Sequence, residues 1–167
     1  MKYILDFDHT LFNTTDFVAR VSERGMFDIL ITPQIWEHFN VMDFLYADTL
    51  TFLESKNRAD LIILTAMTPT LGPQAREFQK QKLNSGNFDK YVEEIIFMEG
   101  DKGPHIADLF TGQPTTFVDD SLPHLISSRK CCPEVICAQM VRFGEETWLD
   151  ISEQKDISVV HTLDELE

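Results

Sequence analysis

Apolar positions in this chain gather into short, nearly continuous runs, and the stretches between them carry helical spacing. The runs are residues 2–6 (KYILD), 61–65 (LIILT), 94–98 (EIIFM), 115–119 (TTFVD) and 134–138 (EVICA). Aliphatic runs of this length, without polar alternation, predict strands buried on both faces and therefore a parallel sheet. Residues 157–160 add a shorter candidate for an edge strand. Helices are expected over 46–56, over 71–83 ahead of Asn84-Ser85-Gly86, from Gly103-Pro104 to about 110, and over 122–129. Strand and helix thus alternate, which predicts an α/β fold, a Rossmann-like, doubly wound parallel sheet.

One interval is too long for a single crossover. Between the first two runs lie residues 13–57, with helical patterning at 16–30 and again at 34–39 after Thr32-Pro33. The reading is a crossover helix preceded by a small helical insertion at about 13–41, within a single domain of residues 1–167. The aromatic residues Phe12, Phe17, Phe27, Trp36, Phe39 and Phe44 are expected to form mostly the core of that insertion.

Parallel sheets collect ligands outside the carboxyl ends of their strands. Read there in order, the chain supplies Asp6-Phe7-Asp8-His9-Thr10, then Thr65, then Lys102, then Asp119-Asp120. So many carboxylates at one rim need a counter-charge, and a hard divalent cation such as magnesium suits oxygen donors that leave room for water and phosphate. Thr65, Lys102 and the backbone N–H groups after Thr65 would hold phosphate oxygens. One carboxylate remains to attack phosphorus.

Composition narrows the partner. The sequence has 14 Lys+Arg against 28 Asp+Glu, a formal net charge of -14. Nucleic-acid affinity depends on cationic side chains that displace counterions, so a nucleic-acid backbone is not expected as partner. A small phosphorylated molecule is. Charge returns at Asp6, too early for a secretory signal, and no apolar run approaches the length of a membrane span. Cys131, Cys132 and Cys137 lack the spacing of a disulfide framework or of zinc hooks, and read as free thiols. Together these features predict a cytoplasmic protein with no membrane association; oligomeric state is not legible.

The same residues in the same order resemble the haloacid dehalogenase (HAD) superfamily. Its DxDx[TV] motif matches Asp6-Phe7-Asp8-His9-Thr10, its strand ending in Ser or Thr matches 61–65, and its lysine matches Lys102. Its strand ending in paired acids matches Phe117-Val118-Asp119-Asp120, and residues 159–166 (VVHTLDEL) are similar to common family C-termini. The resemblance implies a HAD-like core with a small helical cap after the first strand. It further implies a magnesium-dependent phosphomonoester hydrolase working through an aspartyl-phosphate, with Asp6 as nucleophile and Asp8 as general acid and base. Magnesium would be held by the Asp6 carboxylate, the Asp8 backbone carbonyl and Asp120, with Asp119 acting through water. To begin as an acid Asp8 must hold a proton, so its pKa is expected to be raised. His9 is expected to fill the variable position of the motif, and His105 to lie near the rim without taking part. A phosphotransferase or mutase on the same scaffold, or a silent phospho-ligand binding module, remain alternatives. A response-regulator-like phosphoacceptor fits poorly, because its lone phosphoacceptor Asp lies on the third strand.

Overall fold

The computed structural model describes residues 1–67, 72–142 and 156–166. It contains six parallel strands in the order β3-β2-β1-β4-β5-β6, namely β1 (Lys2–Leu5), β2 (Leu61–Ala66), β3 (Glu94–Met98), β4 (Thr115–Asp119), β5 (Ile136–Met140) and β6 (Ile157–Val160). The expected doubly wound sheet is present. Each central strand sends alternate side chains to opposite faces, and both are apolar. Tyr3, Leu5, Leu61 and Ile63 join one buried cluster, while Ile4, Ile62, Leu64 and Phe117 join the other. That two-sided burial explains why the runs carry no polar alternation.

Five α-helices connect the strands among the described residues: α1 (Thr14–Glu23), α2 (Thr49–Ser55), α3 (Pro73–Ser85), α4 (Lys102–Leu109) and α5 (Leu122–Cys131). Residue 71, the expected start of the third, lies outside the described residues. Two expectations need correction. The helix read over 16–30 stops at Glu23, because Gly25 takes a φ of 65°, and only a 3-10 turn at Phe27–Ile29 follows. The segment 34–39 is likewise a 3-10 helix, Pro33–Glu37. The fifth strand runs two residues later than expected, at Ile136–Met140.

The stretch between β1 and α2 shares the main core. Phe12, Phe17, Phe39 and Phe44 are buried in one cluster with Tyr3, Leu5 and Phe7, and Trp36 packs against it. Phe17 and Trp36 stack with ring centroids 4.9 Å apart, and Trp36 stacks on Phe78 of α3 at 5.1 Å. Phe27 does not belong to this core; it is 60% exposed. No described helix is long and apolar enough to cross a membrane.

The sheet order places the chemistry. From β1 the chain winds to one side through β2 and β3, then returns to β1's other edge as β4 and winds the opposite way. The reversal lies between β1 and β4, which pair from Lys2↔Thr115 to Leu5↔Val118. A crevice opens at such a switch point, beyond the strands' carboxyl ends.

Candidate active site

Asp6 follows β1 directly, and its N–H donates to the Val118 carbonyl at 2.8 Å, continuing the ladder to the end of β4. The side chain is buried, 5% exposed. Lys102, 1% exposed, donates to Asp6 Oδ1 and, at 2.7 Å, to Asp119 Oδ2. Asp119 Oδ1 accepts the Ser121 N–H at 2.8 Å, so both its oxygens are engaged. Asp120 lies beside it, part-exposed, with its backbone carbonyl accepting from Gln139 Nε2 at 3.0 Å. Asp6, Asp119 and Asp120 each bring a carboxylate oxygen within 4.8 Å of the others, the one such metal-suited group among the described residues.

Three carboxylates share one ammonium, and burial sets the consequence. Burial pushes the Asp6 carboxyl up to about 7, against the pull of Lys102 and with the push of Asp119 and Asp8. Burial also raises Asp119 to about 6, opposed by Lys102, and raises Asp120 to about 6, reinforced by Asp6 and opposed by His9. For Lys102 burial works against the charge, but Asp6 and Asp119 outweigh it and hold its pKa above the ordinary value. The site therefore lacks positive charge. A hard divalent cation would supply it, and an all-oxygen donor set suits magnesium; the residues present fit that ion.

Lys102 owes its place to helix packing. Asp101 caps α4, accepting the Gly103 N–H at 3.1 Å and a hydrogen bond from Ser127 Oγ of α5. At Gly103 the two helices meet so closely that an added Cβ would lie 2.3 Å from Ser127 Oγ and 2.8 Å from Ser127 backbone atoms. Glycine to alanine within a helix ordinarily stabilises. Here the sign reverses, since backbone cannot step aside. Gly103→Ala is expected to cost about 1–3 kcal/mol through overpacking. The expected fall in Tm is about 2–10 °C, measured by thermal denaturation; an unchanged or higher Tm would contradict the close approach.

A second constellation surrounds Asp8. It accepts from Thr14 Oγ1 at 2.6 Å, from Gln79 Nε2 at 2.7 Å, and from the Lys82 ammonium. Gln79 also donates to Thr65 Oγ1 at 2.8 Å, which leaves the threonine's own proton available. Lys82 is 1% exposed, its ammonium 3.9 Å from the centroid of the Phe12 ring, where the aromatic face offsets part of its lost hydration. Burial would raise the Asp8 carboxyl, but the Lys82 charge and the hydrogen bonds from Lys82, Thr14 and Gln79 overcome it and hold the pKa below the ordinary value. The raised pKa expected for Asp8 is thus corrected. The sequence pattern contained no cation beside it, and the fold supplies one from α3.

The structure brings every sequence-identified residue to the same rim. Asp6, Lys102, Asp119 and Asp120 form one cluster, and Asp8 reaches Thr65 through Gln79. The amides expected to assist after Thr65 fare differently: the Met67 N–H is spent on the Met98 carbonyl, and residues 68–71 lie outside the described residues. His9 takes a left-handed φ of 59° and its N–H donates to the Phe12 carbonyl at 2.8 Å, closing the tight turn after Asp8. His105 lies within α4. Cys131 is exposed, Cys132 and Cys137 are buried, and all three are free.

Sequence reasoning missed Gln79, Lys82 and Arg142. Arg142, 5% exposed, donates to the Thr10 carbonyl through Nε at 3.1 Å and pairs with Asp48 Oδ2 at 2.6 Å, which also accepts the Leu163 N–H at 2.7 Å. One guanidinium thus ties the turn after Asp8 to the start of α2 and the C-terminal segment.

Comparison with known proteins follows this geometry. No protein-family model matches the sequence, and no curated protein is a significant match. Solved structures do match over nearly the full length. YfnB of Bacillus subtilis, assigned as a HAD hydrolase and bound to magnesium, superposes with a TM-score of 0.57 at 12% identity, covering 99% of this chain and 96% of its own. A HAD family hydrolase of Deinococcus radiodurans R1 with bound phosphate and sodium gives 0.58 at 12% identity over 99% and 92%. A haloacid dehalogenase-like hydrolase of Xanthomonas campestris gives 0.55 at 13% identity over 97% and 91%. The chain has the HAD-like fold. At these identities the shared property is the HAD-like architecture; chemistry has to be argued from this chain's own side chains.

Proposed function

We propose that this HAD-like chain is a magnesium-dependent phosphomonoester hydrolase that transfers the phosphoryl group to Asp6. The observation that carries the reading is the Asp6–Lys102–Asp119–Asp120 cluster at the sheet's switch point, with Asp8 in a separate polar frame alongside. Phosphoryl transfer asks a protein mainly for positioning and for positive charge around the transferring oxygens. Magnesium, held by Asp6, the Asp8 backbone carbonyl and Asp120, would supply charge to those oxygens. Asp120 is preferred over Asp119 as direct ligand because both Asp119 oxygens are already engaged. The magnesium and the phosphate bound by two structural neighbours support the choice of ion and of substrate chemistry.

The chain's own residues then divide the work. Asp6 attacks phosphorus and forms the acyl phosphate, while Lys102 and the Thr65 hydroxyl hold phosphoryl oxygens. Asp8, ionised at rest, relays to the departing alkoxide oxygen a proton drawn from the Lys82 ammonium that touches it. Asp8 then takes a proton from the water that attacks the acyl phosphate and returns it to Lys82, releasing phosphate and restoring Asp6. Residues 13–41 act as a small cap. The substrate is a small phosphorylated molecule, because a net charge of -14 disfavours a nucleic-acid backbone or an anionic membrane surface, and the protein works in the cytoplasm.

The direct test is turnover of p-nitrophenyl phosphate by the purified protein, first with magnesium and then with excess EDTA. Turnover that EDTA removes and added magnesium restores is expected. Equal rates in both conditions would exclude metal-dependent chemistry.

A further inference from the structure

A cavity of about 220 Å³ lies beside Asp8, between α1 and the Leu30–Ile31 stretch on one side and α3 on the other. Its position matters, because the group that donates a proton to the leaving oxygen also marks where the leaving group begins. Beyond Asp8, the walls are Phe17, Val18, Leu30, Ile31, Met67 and Phe78, all carbon or thioether surface. The polar side chains at its floor are Asp8, Thr14, Gln79 and Lys82, and they are already bonded to one another.

Resting on the phosphohydrolase reading above, we propose that this cavity selects phosphomonoesters whose alcohol is compact and apolar, about one aromatic ring in bulk. Size sets the upper bound. An apolar cavity of about 150 Å³ takes up benzene, so 220 Å³ holds one ring with its linking carbon. Ligand pockets for larger molecules begin at about 300 Å³, so a nucleoside would extend beyond the cavity and bury only part of its surface. Chemistry disfavours sugars. Each buried hydroxyl without a partner costs about 1–3 kcal/mol, the carbon walls offer none, and the floor's donors are directed at Asp8 and Thr65. An aryl ring instead gains burial against the carbon surface of Val18, Leu30, Ile31 and Phe78.

The test compares esters of similar leaving-group chemistry, so that reactivity does not stand in for fit. Benzyl phosphate, glucose 6-phosphate, glycerol phosphate and adenosine 5′-monophosphate all release an alkoxide oxygen. Acetyl phosphate, whose small leaving group leaves the cavity nearly empty, reports the chemistry alone. The expected result is a kcat/KM for benzyl phosphate at least about 30-fold above each of the three polar esters, which is roughly the burial of one apolar side group. Val18→Trp, which fills the cavity from the half-exposed face of α1, should lower the ratio of benzyl to acetyl phosphate turnover at least tenfold. Calorimetry gives a readout independent of turnover: benzylphosphonate should bind with a more negative heat-capacity change than methylphosphonate. If acetyl phosphate is hydrolysed but the polar esters match or exceed benzyl phosphate, the specificity proposal falls and the phosphatase stands. If acetyl phosphate is not hydrolysed in magnesium, both fall together.

Discussion

Asp6→Asn is expected to abolish phosphatase turnover and, in the absence of metal, to raise the melting temperature. The first effect follows from losing the atom that attacks phosphorus; nucleophile replacements cost at least about 10⁴-fold in kcat, and activity within tenfold of wild type would remove Asp6 from that role. The second follows from burial. The Asp6 carboxyl is pushed up to about 7, with Asp119 and Asp120 at about 6, from an ordinary value of 3.8. The folded state then binds more protons than the unfolded state between those values, so stability falls as pH rises from about 4 through 7. Asp8 and Asp101, whose pKa values are lowered, act in the opposite sense only at more acid pH, and His124, also lowered, is a single opposing group near pH 6. Metal-free wild type should therefore melt several degrees lower at pH 8 than at pH 5, with magnesium removing most of the difference. Asn in place of Asp6 has no proton to lose, and its slope should be visibly flatter. A metal-free wild type whose Tm rises steadily from pH 5 to 8 would contradict this electrostatic account.

Lys82→Met should lower kcat about 10²-fold or more, within the range that general acid–base groups contribute, without unfolding the chain. Methionine keeps much of the bulk and its contact with Phe12 while removing the charge. With Lys82 gone, burial of Asp8 is opposed only by Thr14 and Gln79, so the Asp8 pKa rises. Turnover that depends on ionised Asp8 should then lose its acid side at higher pH than wild type does. The measurement is kcat against pH from 4 to 9, with circular dichroism as the control for folding. A drop in kcat with an unmoved acid limb would reduce Lys82 to a packing residue.

The architecture and most of the candidate site were legible in the sequence for one physical reason. A strand buried on both faces shows as an uninterrupted apolar run, and the polar residue that ends it falls at the rim where ligands gather. Asp6, Thr65 and Asp119 were found that way. Lys102 was found from its place after a strand and before Gly103-Pro104. Gln79 and Lys82 were not, because a helix such as α3 with sequence QAREFQKQKLN looks like a solvated surface helix. The signal was present in its periodicity: Ala75, Phe78, Gln79, Lys82 and Leu83 share one face, and two of them are polar where apolar residues belong. Arg142 was hidden by an error of register, since a fifth strand ending at 138 leaves residue 142 in a loop, whereas the observed strand carries it to the rim. The raised pKa expected for Asp8 failed because Lys82, which lowers it, lies 74 residues away in sequence.

The central position of β1 has a consequence for how the protein is made. Of the six strands β1 leaves the ribosome first, yet both of its sheet neighbours come later, and Asp6 meets Lys102 across 96 residues of chain. At roughly 5–20 residues per second, that interval is on the order of 5–20 seconds. Throughout it, an apolar strand followed by a carboxylate waits with at least the edge that β4 will cover left open, an arrangement prone to mispairing. Nothing resembling the assembled centre exists in any nascent chain that stops short of Asp119. Partial translation products that end before Asp119 therefore lack the Asp6–Lys102–Asp119 cluster and are burdens for chaperones, and the cluster assembles in a single late step of synthesis.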